Sequence, residues 1–200
     1  MDFVLYYRGP LPANGDAKQK HRIREHFHRQ LKTLWASPPF DRWLKAASDA
    51  SGREAGEGAS PTIAQWMKLR AFPSLIKVVE GHQYLPLVCV KLCAVAQLDL
   101  TLLRPEPAGR IVTQGGDIDN RIKTLLDALK VPDSNQGRQA IIGTPETPFH
   151  CLLEDDNLIT RLSVRTDHLL EPPMQPNEVV AILHVKTCRT MELPYNHVIS

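Results

Sequence analysis

No stretch of this 200-residue chain approaches the roughly 20 consecutive apolar residues that a membrane-spanning helix needs. Its start, MDFVLYYRGPLPANG, lacks a basic opening, a continuous apolar run and a small-residue cleavage motif, so no secretory signal is expected. None of the four cysteines, Cys89, Cys93, Cys151 and Cys188, stands in a CxxC pair. Reduced thiols in a cytoplasmic protein fit that pattern. No internal repeat is visible. The formal net charge is only +2, so no global basic field announces nucleic acid.

What is present is ordinary for a globular protein: 42% apolar and 23% charged residues. The length suffices for a single domain over 1–200 with a real core. The charge is unevenly spread. Between Arg8 and Lys32 stand seven Lys or Arg against two acids, Asp16 and Glu25. A local patch matters more to a polyanion than the net value does.

Residues 3–7, FVLYY, read as a strand, and RGPLPANG breaks it. Ile23, Phe27, Leu31, Leu34 and Trp35 recur at helical spacing, which predicts an amphipathic helix over 21–35. Arg22, Arg24, Arg29 and Lys32 mark its polar face. The small, glycine-rich residues 47–61 read as a flexible insertion, and a short helix over 62–69 follows. LPLVCVKLCAVAQLDLTLL predicts one long strand or two strands broken by a bend. Strands are also expected over 162–166 and 178–188, and residues 132–150 read as a loop insertion. Strands and helices do not alternate strictly, so the expected class is α+β, a small mixed sheet packed with helices.

The stretch QGGDIDNRIKTLLDAL, residues 114–129, carries the chemistry. Ile118, Ile122, Leu125, Leu126 and Leu129 make an apolar stripe, so a helix begins near Ile118. The bland reading is capping. Asp117 suits the N-cap, Asp119 suits the positive helix start, and Lys123 with Asp119 or Asp127 makes surface ion pairs. A second acidic cluster opens another reading. Asp155 and Asp156 lie between Leu152–Leu153 and Leu158–Ile159, and acids in a part-buried apolar segment are costly unless paired. Carboxylates from two distant segments are what Mg²⁺ binds. A metal so held activates water and neutralises phosphate charge, with Lys123 as an added point charge.

GDIDNRIKTLLDAL followed by EDDNLI resembles the signature of RusA-type Holliday junction resolvases: two aspartates around an aliphatic residue, then Asn120, Lys123, Asp127-Ala128-Leu129, and later Asp155, Asp156 and Ile159. RGPLPANG is similar to the family's proline-rich turn ending in asparagine. The resemblance covers mainly residues 114–130 and 151–166. It implies a RusA-like α+β fold, from which this chain departs by long insertions after Leu129 and between Ala36 and Gly81, with a homodimer and Mg²⁺-dependent paired nicking of branched DNA, and Mn²⁺ as an alternative cofactor. It implies Asp117, Asp119, Asp156 and Lys123 as catalytic, and Asp117, Asp119, Asp156 and Asp155 as metal ligands. Lys20, Arg22, Arg24 and Arg29 of the basic helix are the expected DNA-backbone contacts. A nuclease of the same fold acting on flaps or forks, and a branched-DNA-binding protein with weak chemistry, stay open beside it.

Three further groups are read as structural. His21, His26 and His28 lack the partners that tetrahedral zinc needs and fit a polar helix face or phosphate contacts. Cys89 and Cys93 share strand parity as core thiols. Trp35, Trp43 and Trp66 are expected to pack.

Overall fold

The structure, a computed structural model, describes residues 1–38, 40, 75–105, 118–135, 146–193 and 196–199. The insertion at 47–61, the helix at 62–69, Trp43 and Trp66 lie outside the described residues.

The chain opens with β1 (Asp2–Pro10), where Leu5 and Tyr7 face the core and Val4 and Tyr6 face solvent. Helix α1 (Ala17–Trp35) begins four residues earlier than the apolar spacing predicts. The reason is a capping box: the Gln19 N–H donates to Asp16 Oδ1 at 2.7 Å and the Asp16 N–H donates to Gln19 Oε1 at 2.8 Å.

Next come β2 (Lys77–Val79), β3 (His82–Val88), a short 3-10 turn (Val90–Leu92) and β4 (Ala94–Arg104). The apolar run is therefore two strands. Cys93 sits in the left-handed region, φ +48°, and closes the turn between them. Cys89 and Cys93 thus do not share a strand. Cys89 is buried and Cys93 half-buried, and both are free thiols. Helix α2 spans Ile118–Leu129. Strand β5 (Phe149–Leu153), a 3-10 turn (Asp156–Leu158), β6 (Ile159–His168) and β7 (Glu178–Arg189) follow, and a last 3-10 turn covers His197–Ile199. The loop expected at 132–150 ends sooner, because Phe149 and His150 already belong to β5.

The class is α+β, with two sheets where the sequence predicts one. The first has the order β1-β7-β4-β6, with β6 parallel to β4 and the other pairs antiparallel. The second has the order β2-β3-β5, with β3 and β5 parallel. Strand alternation gives the first sheet one apolar face. Leu5 and Tyr7 on β1, Leu183 and Val185 on β7, and Leu98, Leu100 and Leu102 on β4 are all buried on it. They join Ile23, Phe27 and Leu31 of α1 and Leu125, Ala128 and Leu129 of α2 in one hydrophobic cluster.

Three polar contacts fix α2 within this frame. Arg121 is buried, and its guanidinium donates to the Leu11 carbonyl at 2.8 Å and to Asn177 Oδ1 at 3.3 Å. The Gly15 N–H donates to Thr124 Oγ1 at 3.0 Å. Only glycine fits there, since a Cβ would stand 2.7 Å from Thr124 Cγ2. Arg24 of α1 reaches the far end of α2, donating to the carbonyls of Asp127 at 2.7 Å and Lys130 at 3.1 Å.

Candidate active site

Helix α2 turns Arg121, Thr124, Leu125, Ala128 and Leu129 inward, which leaves Asp119 and Lys123 on its solvent side. Strand β5 runs through the core as Cys151, Leu152 and Leu153 and then surfaces. The Glu154 N–H is tied to the Val88 carbonyl at 2.8 Å. Asp155 caps the following 3-10 turn, its Oδ1 accepting from the Asn157 N–H at 3.0 Å, and Asp156 is the first residue of that turn. Strand β6 then passes beside α2. Between them lies an open groove of about 610 Å³ lined by Ile118, Asp119, Ile122, Lys123, Leu126, Asp156, Leu162, Val164 and Thr166. Asp119 and Lys123 on α2, and Asp156 more than thirty residues further along the chain, thus rim one apolar-floored groove.

The burial expected of Asp155 and Asp156 is not found. Both are exposed, because the apolar residues before them belong to β5 and the acids occupy the turn that leaves it. The desolvation argument for a bound cation therefore does not apply, and what remains is the convergence on the groove. The ion pairs expected along α2 also differ. Asp127 is buried and faces Lys20 at 2.7 Å and Lys130 at 3.6 Å, while Lys123 makes no ion pair among the described residues. Lys130 extends the chain of alternating charges to Asp156 at 3.0 Å. That hydrogen bond from Lys130 holds the Asp156 carboxyl below the usual carboxylate range. Lys130 was legible as the residue directly after Asp127-Ala128-Leu129, three positions beyond Asp127 on the same helical edge. Asp117 lies outside the described residues, and no cluster of three metal-ligating side chains closes among those described.

The basic helix divides in two. Arg22 and Arg29 are exposed. Arg24 is 1% exposed and its guanidinium serves the end of α2, so it is withdrawn from the surface set. Lys20 is held by Asp127 of α2 at 2.7 Å. His21 and His28 are buried too, not on a polar face: His28 stacks on Phe149 at 4.1 Å and His21 lies 5.8 Å from the same ring. His28 Nε2 meets Glu146 at 2.7 Å, and His28 Nδ1 accepts the His150 N–H at 2.8 Å. Trp35 is buried against Phe40, with ring centroids 4.8 Å apart, as its packing role requires.

This histidine cluster predicts acid sensitivity. Burial, then the neighbouring His28 and Lys32, push His150 down to about 4 from its ordinary 6.5. The folded pKa is depressed, so the unfolded chain takes up a proton that the folded chain refuses. Stability is fully present above about pH 6.5 and falls as pH drops towards 4, by about 2–3 kcal/mol over the window. Urea midpoints measured between pH 7.5 and 4.5 should fall for the wild type and less for His150→Leu. Equal slopes in the two proteins would mean that His150 does not titrate as its surroundings require.

No protein-family model matches the chain, and no curated protein and no solved structure matches it.

Proposed function

We propose that the chain is a RusA-type endonuclease that cleaves branched DNA, with the groove between α2 and β6 as its active site. The supporting observation is the convergence of Asp119, Lys123 and Asp156 on that groove. These are three of the four residues that the family resemblance assigns to catalysis, and they come from two separate segments of the chain.

The donor set suits a hard divalent cation. Its groups are carboxylate oxygens open to solvent, and the ammonium of Lys130 on Asp156 at 3.0 Å already marks a place for positive charge. Asp119, Asp155 and Asp156, together with the Asp117 that the family resemblance assigns, are the residues that would hold Mg²⁺ or Mn²⁺. When bound, the ion lowers the pKa of a water and neutralises charge growing on the phosphate. Lys123, one helical turn from Asp119, brings a further positive charge to the non-bridging phosphate oxygens. The reaction is hydrolysis: water adds to phosphorus as the bond to the leaving ester oxygen breaks, and that oxygen takes a proton. Ile122, Leu126, Leu162 and Val164 give the groove an apolar lining between its charged groups.

An assay of Mg²⁺-dependent nicking on four-way, flap and linear duplex DNA tests the reading. Preference for the four-way substrate supports junction resolution, and preference for the flap moves the substrate within the same chemistry. Binding without cleavage on all three would leave a branched-DNA-binding protein.

The exposed part of the basic helix makes a separate prediction. Arg22→Gln with Arg29→Gln should flatten the slope of log K against log salt by about one to two, since roughly one counterion is released per phosphate contact. Unchanged slopes would show that this side of α1 faces away from DNA.

A further inference from the structure

Asp119, Lys123 and Asp156 line the groove, and Lys130 does not. Yet Lys130 Nζ stands 3.0 Å from Asp156 Oδ2, so it meets that carboxylate from outside the groove. The fold fixes this lysine on two sides. It follows the last residue of α2 and forms a parallel bridge with Leu153, the last residue of β5. The Val131 N–H donates to the Leu153 carbonyl at 3.0 Å, and the Lys130 carbonyl accepts from Arg24 Nε at 3.1 Å. Leu153 precedes Asp156 by three residues, so the bridge sets Lys130 beside the strand end from which the acidic turn leaves. The Lys130 side chain is only 18% exposed, and its ammonium lies between Asp156 and Asp127, the latter at 3.6 Å. Lys20 already neutralises Asp127 at 2.7 Å. Among the described residues, Lys130 is the one cation paired with Asp156.

We infer that Lys130 is a positioning residue of the metal site: it holds the Asp156 carboxylate by Oδ2 and, as a fixed positive charge behind it, weakens the grip of the site on a divalent cation. The inference rests on the metal site of the proposed nuclease and not on its substrate. A cation on the same carboxylate lies no more than about 7 Å from the ammonium, since metal–oxygen distances are roughly 2 Å. That is within the screening length at physiological salt, so the two positive charges repel. The half-buried stem keeps the ammonium from withdrawing into water, and Asp127 retains it when Asp156 turns to the metal.

The charge count points the same way. Asp117, Asp119, Asp155 and Asp156 face Lys123 and Lys130. Two negative charges are left over, the charge of one divalent ion. Without Lys130 the excess would be three, and the pull on a cation correspondingly stronger. The two lysines thus divide the work. Lys123 is exposed on the groove side, where a phosphate arrives, and Lys130 is tied to a ligand from behind. A half-exposed ion pair without this role would add a little stability and leave metal binding unchanged.

Mn²⁺ binding to the DNA-free full chain, followed by the paramagnetic resonance of the free ion, tests the assignment. Asp156→Asn should weaken binding, which places the ion at this site. Lys130→Gln should tighten Mn²⁺ about fivefold or more. Lys130→Arg keeps the charge and should bind as the wild type does. Lys130→Met is a second neutral variant, and melting temperatures check that each protein is folded. The Mg²⁺ concentration for half-maximal cleavage should fall by the same factor in the neutral variants. Equal or weaker Mn²⁺ binding in both neutral variants overturns the inference. So does equal tightening by Lys130→Arg, which would trace the effect to packing and not to charge. Binding untouched by Asp156→Asn overturns the inference and the metal site together. Tightening as expected, in a protein that cuts none of the DNA substrates, would leave Lys130 its role and overturn the nuclease.

Discussion

Asp156→Asn and Asp117→Asn each lower Mg²⁺-dependent cleavage by more than about tenfold, at least 1.4 kcal/mol of barrier, with little change in DNA affinity. For Asp156 the structure supplies the reason that folding is spared. The carboxylate is exposed at the start of a surface turn, and its one ion pair, to Lys130, is half open to water. Such a pair is worth about 1 kcal/mol or less, so thermal stability should barely move while chemistry is lost. Asparagine keeps the size and removes the negative charge, so a fall in rate reports the charge. Rates and melting temperatures measured together decide the matter. A variant that keeps more than about a tenth of the rate removes that aspartate from the site. A variant that loses stability in metal-free buffer would mean that the carboxylate serves the fold instead, as helix capping by Asp117 would.

Arg24→Met has the opposite signature. It lowers unfolding free energy by about 2–4 kcal/mol and leaves the salt dependence of DNA binding unchanged. The last carbonyls of a helix have no partner within the helix and carry its negative pole. Arg24 satisfies those of Asp127 and Lys130 from inside the protein, at 1% exposure. Methionine fills much of the volume but donates nothing, so both carbonyls lose their donor, that of Asp127 in a buried place. The effect should pass to the groove as well, since α2 carries Asp119 and Lys123 at its other end. Urea denaturation measures the loss. A stability change under about 0.5 kcal/mol would show that water replaces the guanidinium at the end of α2, and a flattened salt slope would return Arg24 to the DNA-contacting set.

Much of the secondary structure was determined by local pattern. The stripe from Ile118 to Leu129 gave α2 its limits, and alternation marked Leu162, Val164 and Thr166 as one side of a strand, because side-chain period follows directly from backbone geometry. The capping box that starts α1 four residues early was also present, as Asp16 and Gln19. Even the burial of Arg24 was legible: it precedes Phe27 by three and Leu31 by seven, so helical spacing puts it on the apolar stripe. Arg22 and Arg29 lie on the other side, a difference that a count of basic residues hides. The tertiary structure alone decided what lies across from what. Asp127 meets Lys20 from another helix and not Lys123 from its own, since a buried carboxylate takes whichever cation the packing delivers. Asp156 reaches Asp119 and Lys123 around one groove only because β5 ends where α2 passes and β6 turns back beside it. That strand's position at the edge of the sheet among the described residues follows from the pairing order of four strands, which no local pattern encodes.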